Sequence, residues 1–487
     1  MGVAGPKSWV TGWHWRERIL NFEPSWFTIC MGTGVVQQML VNFPYPIGGG
    51  TWWMRNLAYC FWILDIVLFG LFAAMLAVRY ISHPELLKKN LMEFPACSYL
   101  GAIPIALDTV IVGIVSFYDY RTSARWVAFA FYWVAFAFYW VAVALTLLVS
   151  FGLLTLQTLS QKQHSISDVA GLWLMTSVPL IVTAAAGSTL LPYLGATSQR
   201  AAVVVLVVSF LLWSLGMCQV HLILAVYFWR LISHKLPAQQ LLASGFLPLA
   251  PLGQGAYAIQ QMSIFLANYL KSSGYAPTQS QPPPLPQPIL LATAEAMHWL
   301  GILLNLFLLA HASFWLVQAV ASVAYSRPKS FNIGMWSFTF PWGSYANAWS
   351  FLGRDLRNSG MRGWAATNIV IVILIWLLCA GMTSWLGFWK GSLFSAPGLE
   401  EWLDEKEQDG QGDGHENGTG HENGATKKRK KGAQGKGNEK KHNADGTYTM
   451  DASRVSDVEN GMSGHANGND RQVDGEDSIR ARRNGNG

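Results

Sequence analysis

Charged side chains are scarce in this chain. They make up 13% of its 487 residues, about half the share of an average soluble protein, and they are unevenly spread. Residues 1–390 hold 20 Lys/Arg and ten Asp/Glu; the last 97 residues hold the other 14 and 18. An apolar body is therefore joined near Lys390 to a charged, Gly/Asn-rich tail. The formal net charge of +6 arises in the body alone, so it gives no reason to expect a nucleic-acid partner. Cysteine is scarce as well. Cys30, Cys60, Cys97, Cys218 and Cys379 fall in or beside apolar runs with no paired spacing, as buried small hydrophobes do, rather than disulfides or metal ligands. Also missing are H-x-x-H-H boxes, the Glu–His spacing of membrane metal enzymes, a G-x-S-x-G elbow and a phosphate-binding P-loop. Hence no catalytic residue, metal site or cofactor is assigned. With no ATPase motif, nothing in the chain points to ATP as an energy source.

What the body does have is long apolar runs, each near the ~20 residues that cross a bilayer. About ten are readable, at 25–43, 54–79, 97–118, 126–159, 171–194, 200–229, 246–270, 289–325, 334–352 and 364–389. The first 20 residues mix Lys7, Arg16, Glu17 and Arg18 with Trp9, Trp13 and Trp15. That is the pattern of a segment lying in the membrane interface rather than of a cleavable signal peptide. The organisation expected is an interfacial segment over 1–20, an all-α transporter domain of ten transmembrane helices over 21–390, and a disordered cytoplasmic tail over 391–487. Lys and Arg are more numerous in the N-terminal segment and the loops on its side than in the opposite set, which orients both termini to the cytoplasm.

Prolines alternate along the body. Pro104 falls in the third run, Pro179 in the fifth, Pro248 and Pro251 in the seventh and Pro341 in the ninth. The first run has Pro24 at its mouth and Gly32 and Gly34 inside, and the even-numbered runs contain no proline. A proline within a helix removes a hydrogen bond and bends the chain. Lipid tolerates the freed backbone groups only where protein or water satisfies them. The alternation therefore predicts five repeated helical hairpins, each a kinked inner helix followed by a straight outer one, around a central pore.

The inner set carries small and hydroxyl residues: Gly32, Thr33, Gly34, Ser177 and Thr339 are the candidate pore-lining, substrate-contacting positions. A hydroxyl can also bond its own helix backbone. No basic residue sits in the middle of a run, so an anionic solute would be drawn by helix dipoles and neutral donors. Three acids lie within runs, Asp65, Asp108 and Glu295. Asp108, four residues after Pro104 on an inner helix, is the candidate for proton coupling; capping of a backbone opened by Pro104 is the alternative. The seven residues Trp126–Tyr132 recur as Trp133–Tyr139, a two-turn insertion that nearly preserves the helix face.

"NFEPSWFTICMGTGVVQQMLVNFPYP" (Asn21–Pro46) resembles the first-span signature of fungal sulfite efflux pumps, and "MWSFTFPWG" their ninth span. These belong to the tellurite-resistance/dicarboxylate transporter family, with yeast malate carriers and plant slow anion channels. The resemblance covers roughly residues 14–390. It implies ten helices as five hairpins around a pore, a homotrimer, and a phenylalanine on the ninth helix that occludes the pore. By the T-F-P match that gate is Phe340, with Phe338 second. The expected function is plasma-membrane efflux of a small anion, sulfite first. A proton-coupled malate or other C4-dicarboxylate carrier is the alternative, and a non-transporting membrane enzyme or receptor a third class.

The tail contains "GHENGTGHENG" and the run Lys427–Lys431. Such composition is expected to stay unfolded, with the basic run a solvated stretch rather than a nuclear signal or lipid patch.

Overall fold

The structure, a computed structural model, describes residues 15–46, 52–120, 125–273, 286–328 and 330–389. The tail over 391–487, with Lys427–Lys431, lies outside the described residues, as do Trp9 and Trp13. Among the described residues there are helices and turns but no strand. The described residues form twelve α-helices: α1 (Trp15–Leu20), α2 (Phe27–Val41), α3 (Trp52–Ser82), α4 (Pro84–Met92), α5 (Ala102–Tyr120), α6 (Arg125–Leu159), α7 (Val178–Thr197), α8 (Gln199–His234), α9 (Leu249–Ser273), α10 (Gln287–Ser326), α11 (Thr339–Asp355) and α12 (Ser359–Thr383).

Two kinds of long helix alternate. In α2 every residue from Phe27 to Leu40 is buried, and of the apolar stretch in α7 83% is buried, against 22% for α3. α3 buries one narrow stripe, Met54, Ala58, Trp62, Asp65, Phe72 and Leu76 among it. This three-and-four spacing belongs to a helix touching protein on one side only. Its other face exposes Ile63, Val67 and Leu71, as α8 exposes Leu211, Leu222 and Trp229. Large apolar side chains at that exposure are stable against lipid rather than water. Among the described residues, seven helical stretches are long and apolar enough to cross a membrane by length and composition, namely Trp52–Ser82, Ala96–Phe117, Phe131–Leu159, Val178–Thr197, Gln199–His234, Gln287–Ser326 and Ser359–Gly387. The remaining three long helices are all in the buried class. α2 and α11 have 15 and 17 residues, and α9 carries Gln254, Gln260 and Gln261. A helix walled by protein on every side needs less apolar surface than one facing lipid.

The buried helices close on themselves: α2 packs on α5, α5 on α7, α7 on α9, α9 on α11, and α11 on α2. Each also packs on its successor in the chain, α3, α6, α8, α10 or α12. Ahead of each buried helix stands a 3-10 segment: Pro24–Trp26, Ala96–Gly101, Gly171–Thr176, Gln239–Phe246 and Ile333–Phe338. These five follow the same circuit, each touching the next and the fifth touching the first. The five inner helices therefore start at one end of the bundle, with their N-termini gathered and their dipoles parallel.

This arrangement changes the role expected of the prolines. Pro104, Pro251 and Pro341 are the third residues of α5, α9 and α11, Pro179 the second of α7, and Pro248 immediately precedes α9. The interruption in each inner element is thus a change of helix type at its start, not a bend within a long α-helix. The first N–H groups of a helix have no partner inside it, so proline there forfeits no hydrogen bond. The proline inside an α-helix proper is Pro192 of α7. In α6, the duplicated unit buries both of its tyrosines, Tyr132 and Tyr139, so the insertion keeps one face toward the bundle. Tyr139 Oη lies 2.9 Å from the Ser209 hydroxyl of α8.

Candidate functional site

Neighbouring inner elements approach so closely that a glycine stands at each seam. A methyl on Gly34 of α2 would strike Thr109 of α5, and one on Gly101 would strike the Met175 carbonyl of the next repeat. Gly171 lies against the Ser244 carbonyl, Gly253 of α9 against Ser344 and Tyr345 of α11, and Gly32 of α2 against Thr339 and Trp336. Where the opposing atom is a backbone carbonyl, as at Gly101 and Gly171, it cannot swing aside, so any side chain would push the elements apart. Small residues that let helix backbones approach are the usual means of packing helices in lipid.

The candidate pore-lining residues divide accordingly. Gly32 and Thr339 meet across the α2–α11 seam, and Gly34 abuts Thr109 and Asp65. Thr33 donates to the Ile29 carbonyl at 2.8 Å and accepts from Trp376 Nε1 of α12 at 3.3 Å. Ser177 donates to Gln219 Oε1 of α8 at 2.9 Å. These two hydroxyls therefore serve contacts with outer helices.

Phe340, in the first turn of α11, is buried, and no ring among the described residues pairs with it. Phe338, the residue before α11, is different. Its ring lies edge-on to Phe246 of the neighbouring 3-10 segment at 4.9 Å, and Phe246 stacks on Trp342 at 5.4 Å. The backbone around Phe340 is pinned: Ser344 donates to the Phe340 carbonyl at 2.8 Å and accepts from Gln254 of α9 at 3.0 Å.

Asp108 is buried at the α5–α7 seam, where Thr183 donates to its Oδ2 at 2.7 Å. Thr183 sits 2.8 Å from the Thr146 hydroxyl of α6. Oδ2 of Asp65, on the outer helix α3, and the Ala106 carbonyl lie 2.8 and 2.7 Å from the Thr109 hydroxyl, which has one proton to share between them. Asp108 and Thr109 are sequence neighbours, so adjacent residues of α5 each belong to a carboxyl–threonine pair, one toward α7 and one toward α3. The second oxygens, Asp65 Oδ1 and Asp108 Oδ1, are buried with no hydrogen-bond partner, and neither acid is in an ion pair. A charged carboxylate without a cation in such a place is very costly. The threonine pairings, and the glycine seams beyond Gly32 and Gly34, escaped the sequence argument because the partners lie 37 or more residues apart. The third intramembrane acid, Glu295, accepts from Trp299 of its own helix at 3.0 Å. Among the described residues no group of three or more His, Cys, Asp or Glu gathers to hold a metal.

The ring of five parallel inner helices carries hydroxyls, glycines and a buried phenylalanine at its seams. The family model described as SLAC1, voltage-dependent anion channel, matches residues 21–384. The chain belongs to this anion channel family. The match spans α2 to α12 and omits α1 and the tail. Among curated proteins, a sulfite efflux pump of Arthroderma benhamiae is 28% identical over 366 residues, covering 75% of this chain and 90% of that one. A sulfite efflux pump of Saccharomyces cerevisiae is 24% identical over 363 residues, 66% of this chain and 77% of that one. A malic acid transport protein of Schizosaccharomyces pombe is 25% identical over 111 residues, 23% of this chain and 24% of that one. The protein is a membrane anion transporter, not an enzyme.

Proposed function

We propose that the chain exports sulfite across the plasma membrane, through the axis of the five inner helices, with both termini cytoplasmic. The observation that carries this reading is the closed circuit of five 3-10 segments at one end of the ring. With the proposed orientation that end faces the cytoplasm, and five helix N-termini present partial positive charge to an entering anion. Past this entrance the five inner helices carry no basic residue until Lys271 and Arg354 at their far ends, so no fixed cation midway traps the anion. An inside-negative potential then favours exit by about 2.3 kcal/mol per charge per 100 mV, and no ATP is needed. The ten long helices act as five membrane-crossing hairpins, and the relatives named as sulfite efflux pumps supply the substrate.

Phe340 is the gate in this reading, with Phe338 held beside it by Phe246. A buried ring that stacks on nothing can change rotamer without breaking an aromatic pair, and a dry apolar constriction blocks ions until it opens. Gly32, Gly34 and Thr339 set how closely the helices approach around it. Thr33 and Ser177 hold the inner helices to the outer ring. Assembly as a homotrimer completes the reading.

A second reading, proton-coupled export of malate or another C4-dicarboxylate, is favoured by one observation. Asp108 is a buried acid with one oxygen unpartnered, a group suited to carrying a proton. Expression in a sulfite-sensitive yeast separates the two. Restored sulfite tolerance supports the first reading; malate release that requires Asp108, without sulfite tolerance, replaces it with the second.

A further inference from the structure

At the end of the bundle where the 3-10 segments gather, a buried arginine lines a cavity. The sequence Arg-x-Ile-Ser-His closes two outer helices, as Arg79–His83 at the end of α3 and as Arg230–His234 at the end of α8. Both arginines are buried, at 2% and 5% exposure, and both turn back to the chain that enters their own hairpin. Arg79 donates to the Phe22 carbonyl, just ahead of Pro24–Trp26. Arg230 donates to the Ser167 carbonyl, from Nε at 3.2 Å and Nη2 at 3.0 Å, and from Nη1 to the Lys235 carbonyl. The shared task is to tie an inner element's approach to its outer helix. The two differ in charge balance. Arg79 has the carboxylate of Glu23 within electrostatic reach. Arg230 pairs with no carboxylate among the described residues. Asp168, next to Ser167, gives its oxygens to the Ser165 N–H at 3.0 Å and the Ser167 hydroxyl at 3.3 Å.

The cavity beside Arg230 measures about 390 Å³, within the range of about 300–1,000 Å³ typical of small-molecule sites. Its apolar wall comes from three consecutive repeats. Phe94 and Pro95 precede Ala96–Gly101, Ala170 precedes Gly171–Thr176, and Pro237 and Ala238 precede Gln239–Phe246, whose Leu241 completes the wall. The polar side is Arg230, His164, Ser167 and Asp168. The His164 ring lies edge-on to Phe94 and to Trp173, with centres 5.8 and 5.5 Å apart, and Trp173 Nε1 is buried with no hydrogen-bond partner. Of the five N–H groups of a guanidinium, Arg230 uses three, so two remain. A buried cation with spare donors and no carboxylate is costly by itself. Facing an apolar wall, it suits an anionic group carried on an apolar body. Asp168 opposes a second negative charge on the same ligand.

We propose that this cavity binds a small organic monoanion, a carboxylate on an apolar or aromatic body, with its carboxylate on Arg230. Because the walls come from three of the five repeats, the bound ligand clamps their 3-10 segments together. The fourth segment carries Phe246, whose ring packs on Phe338 at 4.9 Å, two residues before Phe340. In the export reading, on which this regulatory role rests, an occupied cavity holds the gate shut.

The test is titration calorimetry on the purified full-length chain in detergent, with benzoate as the probe. Acetate keeps the charge without the ring, benzamide keeps the ring without the charge, and phthalate adds a second charge. Benzoate is expected to bind saturably and the other three more weakly. Arg230→Gln should weaken benzoate by on the order of tenfold or more. Since Arg230 also ties the chain at Ser167, a second variant leaves it in place. Ala238→Trp, at an exposed position, fills the cavity and should abolish benzoate binding with the unfolding temperature unchanged. No binding of benzoate to wild type, unchanged binding in Ala238→Trp, or benzamide binding as tightly as benzoate overturns the site. Phthalate binding as tightly as benzoate overturns the assignment to a monoanion. Flux from vesicles separates the site from the export reading: benzoate should slow sulfite release by wild type and not by Ala238→Trp. A chain that binds benzoate and releases no sulfite even without it keeps the site and loses the export reading. Sulfite release that bound benzoate leaves unchanged keeps export and removes the regulation.

Discussion

Thr183 on α7 donates its hydroxyl to Oδ2 of Asp108 on α5 at 2.7 Å, joining two inner helices through a fully buried pair. With that proton committed, Thr183 accepts from Thr146 of α6, 2.8 Å away, so one hydroxyl ties three helices. Replacing it with the isosteric valine leaves both Asp108 and Thr146 without a partner. Thr183→Val is expected to destabilise the fold by about 1–3 kcal/mol, the cost of stranding a buried polar group. Thermal unfolding in detergent, with Thr158→Val on the exposed end of α6 as control, measures it.

Asp108→Asn keeps the shape and the acceptor for Thr183 but removes the proton that an acid can carry. If Asp108 couples transport to protons, the variant folds and its flux no longer depends on the pH gradient. If flux and pH dependence both match wild type, Asp108 is a structural acid. Vesicle flux at two external pH values distinguishes these results.

The glycine seams make a sharper claim about stability. Gly101→Val and Gly171→Val each drive a side chain into a backbone carbonyl that cannot retreat, and should cost about 1–3 kcal/mol or more. Gly70 and Gly152, on outer helices, have open space where a Cβ would stand. Gly70→Ala and Gly152→Ala should be neutral or stabilising by about 0.5–1 kcal/mol, through helix propensity. Equal loss in both sets, measured by the same unfolding assay, would contradict the seam account.

Much of this was legible in the chain. Apolar runs marked the long helices, and the alternation of Pro104, Pro179, Pro248, Pro251 and Pro341 separated the buried helices from the lipid-facing class. Sequence could not tell that these prolines open helices after a 3-10 segment, because a proline three residues into a helix and one at mid-span look alike without the helix boundary. Nor could it tell that Thr33 and Ser177 turn toward Trp376 and Gln219. A hydroxyl's direction depends on helix rotation, which Trp376, 343 residues further on, helps to set.

Phe338 and Phe340 differ in their neighbours, and so should their variants. Phe340→Ala removes a ring that pairs with no other described ring, and is expected to raise anion flux. Phe338→Ala breaks the edge-on contact with Phe246, worth about 0.5–1.5 kcal/mol beyond its burial, and should lower stability more than it alters flux. Flux and unfolding temperature, measured on the same preparations, check the contrast.

The central claim is that membrane potential alone drives sulfite through the ring, and proteoliposomes test it most directly. Purified full-length chain is reconstituted into vesicles loaded with sulfite, a potassium diffusion potential is imposed without ATP, and released sulfite is followed. The expected result is sulfite release that rises with an inside-negative potential and rises further with Phe340→Ala. Release that ignores the potential, or vesicles that pass malate on a proton gradient and no sulfite, would contradict the account.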